Sequence, residues 1–574
     1  MRESLWLDEL HTSWVVSADW SEVGFRSRAG NQSPSFMWLV KLLDWTLGTK
    51  ELDSGTAADV VRDANSSGFL PRHGPNTEVL LRLPSWLAYG AVVFVSAWIC
   101  LCRYRVPFSG GLLVFLATCV FLGLDRIQLF YATEARVYAL LQLLSLLGWW
   151  CVDDLARQCR EISLARNGSS AQPGALTPEI PSVRSRPVYL WTVLAVTMIY
   201  LHLIAGIVLL VQALVVVGVC CWFRQWRVLG RFAICAFVAA SVAIPAGWLG
   251  LPVWERRNQW NRFAGDASFS SVSRQFPIVP ILVPALVAKV VDWVGGWFGK
   301  MASRKQELSN QVLSSSNVVG RNGVGLRLWV WCIALTGPLL VGWALTTFEI
   351  APVMHRRYLL ASSVPLSLLA VSLLITVRFR WMSWIALAVS CGWLVTDQPT
   401  LEIWRSGQIQ GALRGEDWRG AAEWISKRIE NGDEIWCGSD LIEGDGLPLP
   451  LDEDMDRYLA FPLAGHYSIA VPETQSSEEA GEATILRVQP RALLSNAGMW
   501  LQQWFAPEMP AGERHLFVVA RAPAEDLAAV MEAVVRQPLP PGMELVVVGA
   551  VERFGLLSGV RVRVARPEGS PPAS

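Results

Sequence analysis

LIAGIVLLVQALVVVGVCCWF, residues 203–223, runs for twenty-one residues without a charge. A helix rising 1.5 Å per residue needs about 20 apolar residues to cross the roughly 30 Å hydrocarbon core of a bilayer. The stretch therefore predicts a membrane-crossing helix. Its flanks differ: Arg224, Arg227 and Arg231 follow it, whereas His202 precedes it in MIYLHLIAG (198–206).

The same rule along the chain predicts further spans at 79–102, 108–124, 136–152, 188–201, 231–250, 276–299, 327–348, 358–377 and 381–397. Basic residues gather in every second connection: Arg103 and Arg105, Arg157 to Arg186, Arg224 to Arg231, Lys300 to Arg321, and Arg378 with Arg380. By the positive-inside rule those connections are cytoplasmic. Ten crossings then place residues 1–77 and 398–574 outside the cytoplasm, together with the remaining loops. Met1 to Glu9 is polar and too short for a signal peptide. An exported N-terminus with no helix before it is unusual, so we expect a further span upstream of Met1.

Composition points to the same class. The chain is 52% hydrophobic and only 17% charged, and its mean hydropathy is +0.34, values that a soluble protein of 574 residues would not carry. Twenty-nine tryptophans suit an indole that settles at the headgroup level. With 49 basic and 49 acidic residues there is no global field, which argues against nucleic acid as a partner. The eleven cysteines fall mostly in apolar runs, without metal-ligand spacing, and read as small membrane hydrophobes.

Three domains follow: an extracytoplasmic first loop (1–77), a multi-span region (78–397) and a soluble domain (398–574). In the first, Phe36, Leu39, Val40, Leu43 and Leu47 recur at helical spacing over 35–47, which predicts a helix lying along the membrane interface. The loop 306–325 is polar, and 153–187 ends in a Ser/Pro/Gly-rich stretch. Within 398–574 the pattern predicts helices at 417–429 and 524–536 and strands at 433–437, 515–520, 543–550 and 560–565, a small α/β domain. It carries no phosphate loop, nucleophile elbow or zinc spacing.

The polar residues of the outer loops are Asp8 and Glu9, 125–136, His202, 255–262 and 355–357. SLWLDELHT (4–12) sets two adjacent carboxylates among apolar neighbours. Asp8 can serve as a general base for a hydroxyl if held ionised and within reach, or the pair is an exposed acidic turn. In DRIQLFYATEARVYALL (125–141), Glu134 and Arg136 sit where a loop enters a span. A charge that near hydrocarbon is paired, snorkels to the headgroups, or works on a polar ligand. His202 is a lone imidazole, by itself as easily a satisfied hydrogen-bonding residue as a ligand. PVMHRRYLL (352–360) places Arg356 and Arg357 at the mouth of a span, where a guanidinium either grips a phosphate with its planar fork or anchors the interface. Carboxylates and phosphate-binding cations on one face describe a site that activates a hydroxyl against a phosphate leaving group.

In chain order, SLWLDE (4–9), SPSFMWLVKLL (33–43), TEVLLRLPSWLA (77–88), YATEARVYALL (131–141), YLHLIAG (200–206), HRRYLL (355–360) and DWRGAAEWI (417–425) resemble segments of the membrane glycosyltransferases of the C-type superfold. Within that group the chain is most similar to the protein O-mannosyltransferase, aminoarabinose transferase and rhizobial galacturonosyltransferase-like family. The resemblance covers roughly residues 4–430. It implies a helical polytopic fold of about 10–12 spans and a polyprenyl-phosphate-linked sugar as donor. Asp8 would be the catalytic base and Glu9 its motif partner. Glu134, Arg136 and Tyr138 would shape the donor site, and Arg356, Arg357 and His202 would meet the lipid phosphate. Members carry a transmembrane helix before the Asp-Glu motif; here the motif follows Met1 by seven residues, and the resemblance adds to the expectation of a span upstream. The acceptor would be a hydroxyl of a lipid, glycan or protein, at the outer face of a plasma (inner) membrane. No cofactor is implied, and no carboxylate cluster demands a metal. The rival classes are a non-catalytic polyprenyl-lipid transporter or flippase, and a structural membrane subunit.

Overall fold

The computed structural model describes residues 4–5, 7–30, 32–47, 75–104, 108–169, 185–251, 254, 276–304, 318–397, 403, 405, 415–430, 433–438, 461–467, 469, 484–487, 512–536 and 544–566. The stretch 255–262, expected in an outer loop, most of the loop 306–325 and the Ser/Pro/Gly-rich 170–184 lie outside the described residues, as does any segment upstream of Met1. The chain separates into two compact units: Met1–Leu83 with Gly407–Ser574, and Pro84–Ser406.

All ten predicted spans are helical. They are α4 (Pro75–Tyr104), α5 (Phe108–Gly123), α7 (Tyr138–Ser169), α8 (Arg186–Leu201), α9 (Ala205–Trp222), α10 (Trp226–Leu249), α11 (Ile278–Arg304), α12 (Val318–Thr347), the run α13–α14 (Arg356–Leu359 and Ser363–Ile375, joined by a 3-10 turn), and α15 (Arg380–Asp397). By length and composition seven helices among the described residues can cross a membrane: those of α4, α7, α9, α10, α11, α12 and α13–α14. α5 reaches eight only together with α6 (Arg126–Thr133), from which it is bent by 74°. α8 is an apolar helix of only 16 residues, and α15, 18 residues long, is diluted by Arg380, Asp397 and its serines. The chain is a multi-pass membrane protein on this count, with seven or eight crossings rather than ten meeting the criterion.

Burial differs sharply among these helices. In α13–α14, 89% of the residues are enclosed by protein, against 17% in α10. α14 can therefore carry Ser363, Ser367 and Ser372, all buried, since it presents no serine to lipid. Around it Phe121, Trp149, Trp191, Phe232 and Trp331 form one continuous apolar core.

In the other unit α1 (Leu7–Val16), α2 (Val23–Ala29) and α3 (Pro34–Leu47) pack together. Lys41 closes the end of α1 by donating from Nζ to the Val16 carbonyl at 2.8 Å and also to Ala18. The apolar stripe expected on α3 is divided. Phe36, Met37 and Val40 are buried, while Trp38, Leu39, Leu42, Trp45 and Leu47 are exposed. A second apolar face thus remains uncovered within this unit, as an interfacial helix requires.

The sheet has the order β2-β1-β3-β5-β4, from β1 (Glu434–Gly438), β2 (Thr484–Arg487), β3 (Gly512–Ala520), β4 (Glu544–Phe554) and β5 (Leu557–Arg566). β1 lies parallel to β2 and β3, whereas β3, β5 and β4 are antiparallel. Alternation builds both faces: Leu516, Val518 and Ala520 join Leu527, Met531 and Val534 of α17 (Ala524–Val535), and Phe517 meets Trp424 of α16 (Trp418–Ser426) at 5.5 Å. Gly555 turns the β4–β5 hairpin at φ +70°, and a Cβ there would collide with the Gly415 carbonyl. β2 is an element that the sequence pattern does not show, because four residues in a polar run offer no alternation to read.

Candidate functional site

The acidic motif lies on the first turn of α1, where two carboxylates favour the positive end of the helix. Its two residues part ways. Asp8 is half-buried, and Glu9 is fully enclosed. Glu9 takes a two-pronged hydrogen bond from Arg82 of α4, Nε at 2.8 Å and Nη2 at 2.5 Å, with both side chains at 2% exposure or less. Two buried opposite charges so matched offset much of each other's desolvation. Arg82 also donates from Nη2 to the Ser4 carbonyl at 3.3 Å.

A second carboxylate of α4 extends the cluster. Glu78, buried, accepts from the Tyr467 hydroxyl at 2.7 Å and from Arg419 of α16, with His466 Nε2 at 3.8 Å. The Tyr467 hydroxyl in turn accepts the Leu5 amide at 2.8 Å, three residues before Asp8. His466 Nδ1 bonds the Ser13 hydroxyl at 2.8 Å, and the Arg419 amide donates to Ser4 Oγ at 3.2 Å. Burial pushes the His466 pKa down even though Glu78 pulls it the other way, so the imidazole is neutral at pH 7. Burial also pushes the Tyr467 hydroxyl up, which keeps it protonated as a donor.

The other candidates meet in the unit Pro84–Ser406. Asp125 caps α6 by accepting the Ile127 amide at 2.9 Å, and the chain then turns through 134–137 before α7 begins at Tyr138. That turn buries Glu134 and Arg136, whose carboxylate and guanidinium stand 3.9 Å apart, and Ser85 donates to the Arg136 carbonyl at 2.8 Å. Tyr138, His202 and Tyr358 follow one another ring to ring at 5.9 Å per step. Arg357 lies over the Tyr358 ring at 4.9 Å, and the His355 imidazole accepts the Arg357 amide at 3.3 Å to start α13.

These residues line a half-open cleft of about 380 Å³, its open mouth included. Tyr138, His202, Arg357 and Tyr358 form its polar side and Met198 and Val208 part of its apolar side. Gln142 also lines it, with its amide nitrogen near the Gln128 side chain, Ser363 and the Leu360 carbonyl. Burial, then the charges of Arg357 and Arg136, push the His202 pKa down to about 4, so a neutral imidazole faces the cleft at pH 7. Its Nδ1 accepts the Ile204 amide at 3.3 Å, which leaves the proton on Nε2.

The structure thus brings together Tyr138, His202 and Arg357, with Glu134 and Arg136 in the adjoining turn. Arg356, expected beside them, is exposed and does not line the cleft, because consecutive residues of a helical turn point about 100° apart. Arg82, Glu78, Arg419, His466, Tyr467, Tyr358 and Gln142 were not singled out from the sequence. Arg82 carried a legible signal, an arginine inside a predicted span. Among the described residues no group of three or more His, Cys, Asp or Glu could hold a metal ion. No protein-family model matches the chain, and no curated protein matches it.

Proposed function

We propose that this chain is a membrane glycosyltransferase that moves a sugar from a polyprenyl-phosphate donor to an acceptor hydroxyl on the extracytoplasmic face. The observation that carries the reading is the cleft of the Pro84–Ser406 unit, where a guanidinium, a neutral imidazole and two tyrosines converge beside apolar wall. Arg357 suits a phosphate, which its fork binds in two places. His202, holding its proton on Nε2, suits a second phosphate oxygen as a neutral donor. The Tyr138 and Tyr358 rings suit the apolar face of a sugar.

In this mechanism the acceptor oxygen bonds to the anomeric carbon as the bond from that carbon to the phosphate oxygen breaks, with inversion. Asp8 takes the acceptor proton, and the polyprenyl phosphate leaves with the electron pair. Arg357 meets the charge that develops on it, an interaction worth most in the transition state. The place of Asp8 on the first turn of α1, where the helix end favours a negative charge, and its partial exposure, which leaves it within reach of an acceptor, support its acting as the base.

The test is transfer by purified protein in nanodiscs, offered a panel of radiolabelled polyprenyl-phosphate sugars with membrane lipid and glycan acceptors. Label leaving the polyprenyl phosphate in wild type but not in Asp8→Asn is the expected result. Movement of intact donor across the bilayer without cleavage would replace this reading with that of a transporter.

A further inference from the structure

We infer that the C-terminal domain is a working part of the acidic-motif site, with Tyr467 and Arg419 as positioning residues that fix the segment carrying Asp8. The inference rests on the role proposed for Asp8 but is read from geometry that does not depend on it.

Residues 4–13 are held at four points by groups remote in sequence, three of them side chains and one a backbone amide. The Tyr467 hydroxyl accepts the Leu5 amide at 2.8 Å, and the Arg419 backbone amide donates to Ser4 Oγ at 3.2 Å. His466 Nδ1 meets the Ser13 hydroxyl at 2.8 Å, and Arg82 holds Glu9 with two hydrogen bonds. Glu78 ties these grips together, since Tyr467 and Arg419 both donate to it. A tyrosine that accepts one hydrogen bond and donates another in a buried site fixes the direction of both.

The arrangement is more than general packing of a domain. The sheet core formed by Trp436, Leu516, Val518 and their neighbours includes none of these residues. The contacts to 4–13 come instead from the N-terminal end of α16 and from the turn Pro462–His466 with Tyr467. Nothing in the sheet requires Tyr467 to have a hydroxyl. Among the described residues its hydroxyl contacts are Ser4, Leu5 and Glu78, all in the N-terminal part of this unit. A base must be held within a fraction of an ångström of its proton donor, which is what such bracing supplies.

The experiment compares wild type, Tyr467→Phe, Arg419→Gln, Arg419→Lys and the surface control Arg553→Ala, each as full-length protein in nanodiscs. Three quantities are read: amide hydrogen exchange over 4–16 and over β3, the pH profile for carbodiimide modification of Asp8, and turnover. Tyr467→Phe should speed exchange over 4–16 by about tenfold, because the Leu5 amide loses its buried acceptor and Glu78 one of its donors, while β3 is unchanged. The Asp8 profile should move in the same variant, and kcat should fall with KM retained. Arg419→Lys should recover part of what Arg419→Gln loses, and Arg553→Ala should match wild type. Unchanged exchange over 4–16 in Tyr467→Phe would overturn the inference, as would equal acceleration in β3, which marks a merely structural role. If wild type transfers no sugar, the proposed function fails, while exchange and Asp8 modification still decide the positioning role.

Discussion

The acidic-motif cluster and the aromatic cleft differ in how their polar groups are used. Around Glu9 and Glu78 the carboxylates, guanidiniums, hydroxyls and imidazole turn inward on one another, and Arg82, Glu9, Glu78 and His466 are almost wholly enclosed. In the cleft, Arg357 and His202 border open space, and their closest ring neighbours are tyrosines. The first arrangement suits holding a shape, and the second suits receiving a ligand. Within the acidic motif itself the two roles are divided between neighbours: Glu9 is locked in, and Asp8 is left half-exposed.

That division can be broken at its most sensitive point with Asp8→Asn. The amide keeps the shape of the carboxylate but takes no proton, so turnover should fall about 10²–10⁴-fold while donor binding is retained. Near wild-type turnover would show that Asp8 is not the base. The neighbouring residue should fail differently. Arg82→Leu takes the paired guanidinium away from the fully enclosed Glu9 and should cost about 3–5 kcal/mol of stability, read as a lower melting temperature in nanodiscs. A Glu9→Leu/Arg82→Leu double variant should recover much of that loss, because no charge is left stranded; a double variant as unstable as the single would show that the pair does more than neutralise itself.

On the cleft side, Arg357→Ala should weaken donor binding by about 1.5–3 kcal/mol, roughly 10- to 150-fold, and Arg357→Lys should recover only part of it. Equal loss in Asp8→Asn and Arg357→Ala, by both binding and rate, would erase the contrast between the two regions. The smallest effect is a dependence on acidity. His202 titrates near 6.5 in an unfolded chain and at about 4 in the fold, so the unfolded state binds the proton first. The stability it contributes is therefore complete above pH 6.5 and is lost as pH falls from there toward 4. With allowance for partial exposure this amounts to about 1–2 kcal/mol. His202→Gln should flatten that part of the melting-temperature profile, and a wild-type slope in the variant would remove His202 as its source.

The sequence revealed the parts of this molecule whose signals are continuous. A run such as 203–223 is uncharged throughout and apolar at nearly every position, and α9 appears there with its ends displaced by at most two residues. The strands containing Phe517 and Val562 were likewise legible from alternation. Cleft residues could be proposed because polar side chains stood out at the ends of apolar runs. The network around Glu9 could not be read in the same way. Its bonds join residues separated by 73, 389 and 462 positions, and no local pattern distinguishes Tyr467 from any other tyrosine. Hydropathy also ranks α13–α14 with α10, although protein encloses one and largely leaves the other bare. Apolarity measures what a residue avoids, and lipid and protein interior satisfy it equally.

That contrast makes α10 a ruler. Trp226 and Trp248 stand exposed near its two ends, about 33 Å apart at 1.5 Å per residue, close to the hydrocarbon thickness of an ordinary bilayer. Indoles held at both headgroup levels resist being drawn into the acyl chains. In a bilayer made thinner by shorter acyl chains α10 must tilt, whereas the enclosed α14 has little lipid contact through which to sense the change.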